Sequence, residues 1–361
     1  MMARKKEVRI PVNRAVASAT DSARPKYFPI LIVVVVLLTV LAFGLGSSSV
    51  KKQATPTCGD GTFYSSCSLV KPYFCSQGNL IEDASVCGCA ANMTRRGNSC
   101  ISPYQTGPKN LTLNYVLDGK PGEINLTVYE GMDKYLETVS RSAFYSGSEQ
   151  PQRSDFELKS MNEPQQKNLL LPFVERIQNI TTNRDDQVRI AISIVQNIPY
   201  GFSNRTIYLG GNLSVNYSRY PYEVLYENQG TCSEKSALLA FILRQMGYGV
   251  ALFHYGPENH EAIGIKCPVE DSLGNSGYCF VETVGPSIIT DNKLTYVNGI
   301  TLRSTPEVTP LSQGASIGNW QEFRDAQQLE QLMQWRLPIV GQWQLNRLEK
   351  KYGLGREYNL G

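Results

Sequence analysis

The longest hydrophobic stretch of the chain runs from Phe28 to Gly46 and carries no charged residue. At 1.5 Å per residue, about 18 residues rise about 27 Å, which is enough to span a thin hydrocarbon core. The pattern therefore predicts one transmembrane helix over residues 28–46.

The charges on either side of this stretch predict its orientation. Seven basic residues precede it and only Lys51 and Lys52 follow closely. The positive-inside bias predicts a cytoplasmic segment over residues 1–27 and an extracellular remainder. The alternative is a cleaved signal peptide, although its apolar core is usually shorter, at about 7–15 residues. Both interpretations place most of the chain outside the cell.

Alternating hydrophobic positions predict β-strands in two regions. Residues 111–129 alternate on both sides of the turn Asp118–Gly122, which predicts a hairpin. Three further strands are predicted over Val250–Tyr255, Glu261–Lys266 and Tyr278–Val284.

Helical spacing recurs elsewhere. Residues 132–180 predict helices and loops interrupted by Pro151, Pro164 and Pro172. A firmer helix begins near Arg184, with Thr182 and Asp185 at capping-box spacing, and ends at Pro199. Near the C-terminus, helices are predicted over 319–337 and 339–352, separated by Pro338.

Eight of the nine cysteines predict disulfides. Six crowd into residues 58–102, namely Cys58, Cys67, Cys75, Cys87, Cys89 and Cys100, and Cys267 and Cys279 flank a predicted hairpin loop. A stretch this short builds little apolar core, so three bridges would stabilise it instead, and six cysteines allow fifteen pairings. A zinc site is the alternative, but residues 58–102 contain neither a CxxC pair nor a histidine.

Other features agree with an extracellular location and exclude some functions. Clustered cysteines indicate an oxidising compartment. Seven asparagines begin Asn-x-Ser/Thr sequons and are candidate glycosylation sites: Asn92, Asn110, Asn125, Asn179, Asn204, Asn212 and Asn216. The net charge is +3 and no basic stripe carries interleaved aromatic residues, which argues against nucleic-acid binding. The chain has only two histidines, so no metal or other cofactor is predicted.

Cys232 is the cysteine without an evident partner. It follows Thr231, which together with Glu234 has the spacing of a capping box, so the sulfur is expected at the first position of a helix. The positive end of the helix dipole and the unpaired backbone N–H groups there favour a thiolate, the nucleophilic form. Gly247 and Gly249 end this predicted helix.

His260 and Glu282 lie in the predicted strands that follow. If Cys267 and Cys279 are bridged, they share one face of the sheet. His260 is seven residues from Cys267 and Glu282 is three from Cys279, so both are expected on the opposite face. Direct opposition of the two cysteines would place Glu282 opposite Gly264. Either a bulge or a bridge beyond the paired residues is then needed for His260 and Glu282 to meet.

The stretch from Gly230 to Leu239, followed by Gly247-Tyr-Gly-Val-Ala, His260 and Phe280-Val-Glu-Thr283, resembles the transglutaminase-like superfamily. The resemblance covers about residues 180–290. It implies a papain-like α+β core in which a helix carrying a cysteine packs on an antiparallel sheet. By position it implies Cys232 as nucleophile, His260 as base and Glu282, in place of the usual Asp, as third member.

The chemistry implied is acyl transfer from a peptide or carboxamide through a thioester. Hydrolysis is favoured over transfer to an amine, and the substrate is expected to be an extracellular protein or peptide. Gln229 is a candidate second oxyanion donor beside the Cys232 backbone N–H. A surface binding module that retains the fold without turnover is the alternative.

The predicted organisation has six parts. They are a cytoplasmic basic segment (1–27), a transmembrane helix (28–46), a stalk (47–57), a disulfide-rich module (58–102), a transglutaminase-like domain (103–318) and a C-terminal helical segment (319–361).

Overall fold

The computed structural model of the chain describes residues 56–141, 146–148, 150–210, 213–293, 301–318, 321–335 and 340–354. The predicted cytoplasmic segment, the transmembrane helix and most of the stalk lie outside these ranges, as does Asn212. Among the residues described, no helix is both long and apolar enough to cross a bilayer.

Three disulfides hold the small N-terminal module together. They join Cys58 to Cys75, Cys67 to Cys87 and Cys89 to Cys100, which confirms the predicted bridges and selects one of the fifteen pairings. The regular elements are short: β1 (Tyr73–Ser76), β2 (Asn79–Glu82), α1 (Ala84–Cys87), β3 (Thr94–Arg96) and β4 (Ser99–Ile101). Such short elements bury few side chains, so the bridges are the main stabilising contacts here.

A long hairpin follows, formed by β5 (Pro108–Leu117) and β6 (Lys120–Tyr129). Its turn is tighter than predicted and consists of Asp118 and Gly119 alone. Both have positive φ, +48° and +73°, as a two-residue hairpin turn of type I′ requires. The alternating apolar residues of both strands face the main core.

Three helices occupy the region interrupted by prolines: α2 (Glu130–Thr138), α3 (Arg153–Met161) and α4 (Pro164–Gln178). Pro164 begins α4, where its missing N–H costs nothing. Pro172 was predicted to interrupt a helix and this was wrong, because it lies inside α4. The buried residues Leu170, Phe173 and Ile177 hold that helix against the core despite the proline.

The next helix, α5 (Arg184–Asn197), begins and ends close to the predicted positions. Its N-cap is Asn183, whose side chain accepts from the backbone N–H groups of Asp185 and Asp186, so the cap predicted at Thr182 is wrong by one residue. A small hairpin, β7 (Thr206–Gly210) and β8 (Leu213–Asn216), and α6 (Pro221–Glu227) lead to α7 (Cys232–Gln245).

The central sheet has four antiparallel strands. They are β9 (Val250–Tyr255), β10 (His260–Lys266), β11 (Tyr278–Val281) and β12 (Glu307–Ser312), in the spatial order β11-β10-β9-β12. The first three were predicted, although β11 ends before the predicted Val284. The apolar helix α7 packs on one face of this sheet within the main core. The structure is therefore α+β with small antiparallel sheets and four disulfides.

The fourth disulfide joins Cys267 to Cys279 and confirms the remaining predicted bridge. Ile265, not Cys267, stands opposite Cys279 in the ladder, and Cys267 lies one residue beyond β10. The bridge is therefore offset beyond the paired residues, which was one of the two registers left open by the sequence.

Two C-terminal helices, α8 (Gln321–Trp335) and α9 (Val340–Tyr352), form within the predicted ranges. They pack on the domain through a separate apolar cluster that contains Ile288, Leu329 and Leu345. Gly119 in the tip of the long hairpin donates its backbone N–H to the carbonyl of Lys351 at 2.9 Å. The end of the chain is thereby tied to its first long hairpin.

Candidate active site

Cys232 is the first residue of α7 and is not in a disulfide. The predicted capping box is present: the Glu234 carboxylate accepts the backbone N–H of Thr231 at 2.9 Å. The same carboxylate accepts from the Arg219 backbone N–H at 2.8 Å and from its guanidinium at 2.9 Å. The start of α7 is therefore fixed by buried charged hydrogen bonds, and the thiol remains partly exposed.

His260 and Glu282 meet across the β10–β11 hairpin. The His260 Nε2 lies 2.9 Å from Glu282 Oε2, and both side chains are buried. Extending the ladder by one residue places Glu282 opposite Ala262, so His260 is its diagonal neighbour. Glu282 itself lies just past the end of β11, not within the strand as predicted.

The Glu282 carboxylate is held by its own backbone. Its Oε1 accepts the N–H groups of Thr283 and Val284, each at 2.8 Å, which leaves Oε2 for the imidazole. A carboxylate with three donors is fixed in orientation, and its negative charge is stabilised without solvent.

The imidazole is shared between this carboxylate and the thiol. Burial lowers the pKa of His260, but hydrogen bonds to Cys232 and to Glu282 outweigh it and raise the pKa to about 10. Since Nε2 faces Glu282, Nδ1 is the nitrogen left for the sulfur. The three residues singled out from the sequence therefore form a continuous chain of side-chain contacts.

Thr283 connects the end of β11 to the start of α7. Its hydroxyl donates to the carbonyl of Cys232 at 3.3 Å and lies 3.1 Å from the hydroxyl of Ser236. The separation between the sulfur and the carboxylate is thus set by contacts between the two segments that carry them.

Lys235 is a second residue that connects α7 to neighbouring segments, and no sequence pattern indicated this role. It is fully buried, and its Nζ donates to the carbonyls of Ile198 at 2.5 Å and Val284 at 2.9 Å. Burial, only partly opposed by the nearby Glu282, lowers the pKa of Lys235 to about 7. One side chain therefore joins α7 to the end of α5 and to the segment after Glu282.

Gln229 lies in the loop before the cysteine. Its Oε1 accepts from Arg219 Nη2 at 3.3 Å, and its Nε2 packs over Gly201, 1.9 Å from where a Cβ would stand. A side chain at position 201 would clash with the amide of Gln229, so glycine is required there. These contacts orient the amide of Gln229, whose role as an oxyanion donor stays a prediction.

The charge of Cys232 affects the pKa of two further residues, Tyr200 and Arg153. Burial and then the negative charges of Cys232 and Glu234 raise the pKa of Tyr200. Burial disfavours the charge of Arg153, but Glu261, Glu157 and Cys232 raise its pKa. Tyr200 ends the stretch Asn197-Ile-Pro-Tyr200, which also resembles the family, whereas Arg153 opens a polar helix and belongs to no sequence pattern that could have identified it.

The other predicted sites are also located. The six sequon asparagines within the described ranges are all solvent-exposed. His254, the second histidine, lies in β9 and stands opposite Glu261, away from the His260–Glu282 pair. In the described ranges, no three or more His, Cys, Asp or Glu side chains are grouped so as to hold a metal ion.

Comparison of the chain with protein-family models, curated proteins and solved structures finds no match.

Proposed function

We propose that this protein is a transglutaminase-like cysteine enzyme that acts on peptide or carboxamide bonds. The observation that carries the proposal is the contact chain from Cys232 through His260 to Glu282, with the thiol at a helix start and the carboxylate buried. A buried imidazole whose pKa is raised by a thiol and a carboxylate is suited to form a thiolate–imidazolium pair.

The chemistry proceeds in two balanced steps. The Cys232 thiolate attacks the carbonyl carbon, the C–N bond breaks, and the His260 imidazolium gives its proton to the leaving amine. Water then attacks the thioester carbonyl, His260 takes its proton, and the C–S bond breaks to release a carboxylic acid. Glu282 keeps the ring oriented and stabilises its charge throughout. The Cys232 backbone N–H is available to the oxyanion, with Gln229 as the candidate second donor.

The proposed enzyme is anchored in the membrane and faces the outside of the cell. The apolar run 28–46 with its basic leader supports a single membrane anchor with a cytoplasmic N-terminus. Four disulfides agree with an oxidising exterior, and exposed sequon asparagines are accessible to glycosylation there. The substrate is then an extracellular protein or peptide.

Thiol alkylation tests the proposal without a known substrate. The full chain is treated with iodoacetamide from pH 5 to 9, and modification of Cys232 is followed by mass spectrometry. A working pair keeps alkylation fast at pH 6, and His260→Ala slows it there by about tenfold or more. His254→Ala is the matched control, because it removes the only other histidine. A slow thiol that is indifferent to both substitutions would instead favour a non-catalytic binding module.

A further inference from the structure

Helices α3 and α7 lie side by side and run in the same direction. At their C-terminal ends, Arg244 Nη1 of α7 lies 3.3 Å from Asn162 Oδ1, just after α3. At the other end, Arg153 begins α3 and binds Glu261, the neighbour of His260. The first residues of the two helices, Arg153 and Cys232, are therefore at the same end of the helix pair.

A cleft lies beside the contact between these two helices. Phe156, Glu157 and Ser160 of α3 line one wall, and Ser233, Glu234 and Ala237 of α7 line the other. Ser233 follows the candidate nucleophile directly. A substrate chain that leaves this cleft past Ser233 would reach the first residues of the two helices, Cys232 and Arg153.

The guanidinium of Arg153 is hydrogen-bonded within the described residues through its Nε alone. Its Nε lies 2.5 Å from Glu261 Oε2, and the side chain is 44% exposed, whereas Glu261 is 1% exposed. Within the described part of the chain, Nη1 and Nη2 have no hydrogen-bond acceptor. Arginine can bind one carboxylate through Nε and a second through its terminal nitrogens, since its five donors point in fixed directions.

The acidic side chains nearby do not occupy that free edge. Glu234 already accepts hydrogen bonds from the Thr231 backbone N–H at the helix cap and from the Arg219 guanidinium. Burial and then the negative charge of Glu261 raise the pKa of Glu157, which favours its neutral form. Glu261 is buried under the guanidinium and fixes it in place.

From this arrangement we propose that Arg153 binds a carboxylate of the substrate close to the scissile bond. The site accepts an acyl or leaving group that carries a negative charge, either the C-terminal carboxylate of a peptide or an acidic side chain beside the reacting carbonyl. This inference deepens the proposed function and rests on it, because it assigns specificity to the same sulfur.

Two alkylating reagents of nearly equal size test the inference. Iodoacetate carries a carboxylate and iodoacetamide does not, and in both cases the sulfur displaces iodide as the S–C bond forms. The rate ratio, iodoacetate over iodoacetamide, is measured at Cys232 in the full chain and on free glutathione. We expect the ratio at Cys232 to exceed that of glutathione by about three- to tenfold or more, where three- to tenfold is the net effect of one ordinary hydrogen bond.

Substitutions assign the effect to the arginine. Arg153→Gln should lower the ratio by about three- to tenfold while the iodoacetamide rate stays within about twofold, and Arg153→Lys should retain part of the preference. Arg347→Gln, which removes one exposed positive charge from α9, is the matched control and should leave the ratio unchanged. Because the His260 imidazolium also attracts iodoacetate, only the difference between wild type and an Arg153 variant assigns the effect to the arginine, and Arg153→Lys supplies that difference if Arg153→Gln does not fold.

Longer reagents distinguish a C-terminal carboxylate from an acidic side chain as the group that Arg153 binds. Bromoacetyl-glycine against bromoacetyl-glycinamide reports a C-terminal carboxylate, and bromoacetyl-aspartamide against bromoacetyl-asparaginamide reports an acidic side chain. A preference for the charged member of either pair that depends on Arg153 supports the inference. A fast thiol with no preference in any pair overturns it and leaves the proposed function intact. A thiol that is slow with every reagent contradicts the proposed function itself.

Discussion

At the scale of single residues, His260 has the most informative environment. It is buried, yet its pKa is raised to about 10 because the thiol on one side and the carboxylate on the other favour the charged ring. Burial alone would have lowered the pKa. The protonation state of this ring therefore depends on Glu282, which is itself held by two backbone N–H groups.

Glu282→Gln should lower the pKa of His260 toward or below its ordinary value of about 6.5, because the amide has the shape of the carboxylate without its charge. The measurement is an NMR titration of the histidine ring in a His254→Ala background, where His260 is the only histidine. The parent His254→Ala protein, titrated alongside, should give a value near 10. Equal titration curves in the two proteins would show that the carboxylate does not control the ring.

Cys232 and His260 could both be selected from the sequence because their types are scarce. One cysteine was left over after eight could be paired, and only two histidines exist. Arg153 and Lys235 could not be selected, since the chain has 35 lysines and arginines and nothing local marks these two. Their roles come from long-range contacts, Arg153 with Glu261 and Lys235 with Ile198 and Val284.

At the scale of elements, α7 is joined to its surroundings by polar contacts within an apolar core. Lys235 is the clearest case, because a fully buried amine donates to two backbone carbonyls from different segments. Its pKa falls from 10.5 to about 7 on folding. Between these values the unfolded chain holds a proton that the folded chain does not, so this residue makes stability rise with pH.

Lys235→Met should remove that rise. Relative to wild type, the free energy of unfolding of the variant should fall by roughly 2–3 kcal/mol between pH 7 and pH 9, because only the wild type gains stability from this residue over that range. Comparing the two proteins at each pH cancels the opposite contribution of His260. That histidine's raised pKa makes stability fall as pH rises from about 6.5 towards 10.

Urea unfolding at several pH values measures this difference. Lys167→Met, at an exposed position of α4, is the control and should track wild type at every pH. A gap between Lys235→Met and wild type that stays constant with pH would mean that the buried amine does not change its protonation on folding.

Most helices, the long hairpin and three strands of the central sheet could be predicted from periodicity, and the failures have physical reasons. Pro172 is tolerated because tertiary packing outweighs the lost backbone hydrogen bond. Strand β12, Glu307–Ser312, contains Pro310 and lies at the sheet edge beside β9, so its sequence has no clean alternation. The register of β10 against β11 could not be predicted, because the alternation of side chains shows which residues share a face but not whether Cys267 stands directly opposite Cys279.

At the scale of the whole molecule, the C-terminal helices stabilise the domain from outside its main core. Leu345 of α9 is completely buried in the apolar cluster with Leu329 and Ile288, whereas Trp343, two residues earlier, is 67% exposed. Asp325 of α8 adds hydrogen bonds of 2.7 Å to Lys351 and to Tyr352. None of these residues belongs to the candidate active site.

Leu345→Ala should lower the free energy of unfolding by about 2–5 kcal/mol, because it leaves a cavity in that cluster. Trp343→Ala on the exposed side of the same helix should change it by less than about 0.5 kcal/mol. Denaturant unfolding measures both, and the iodoacetamide rate at Cys232 should be the same in both variants under native conditions. Equal destabilisation by the two substitutions would contradict the packing described for α9.

The Cys267–Cys279 bridge closes one end of the β10–β11 hairpin, and the His260–Glu282 contact lies at the other. Because the two strands are joined at both ends of the hairpin, their relative position does not depend on the loop that connects them. An epitope or affinity tag inserted between Gly274 and Asn275, the exposed tip of the connecting loop, should therefore leave the distant imidazole undisturbed.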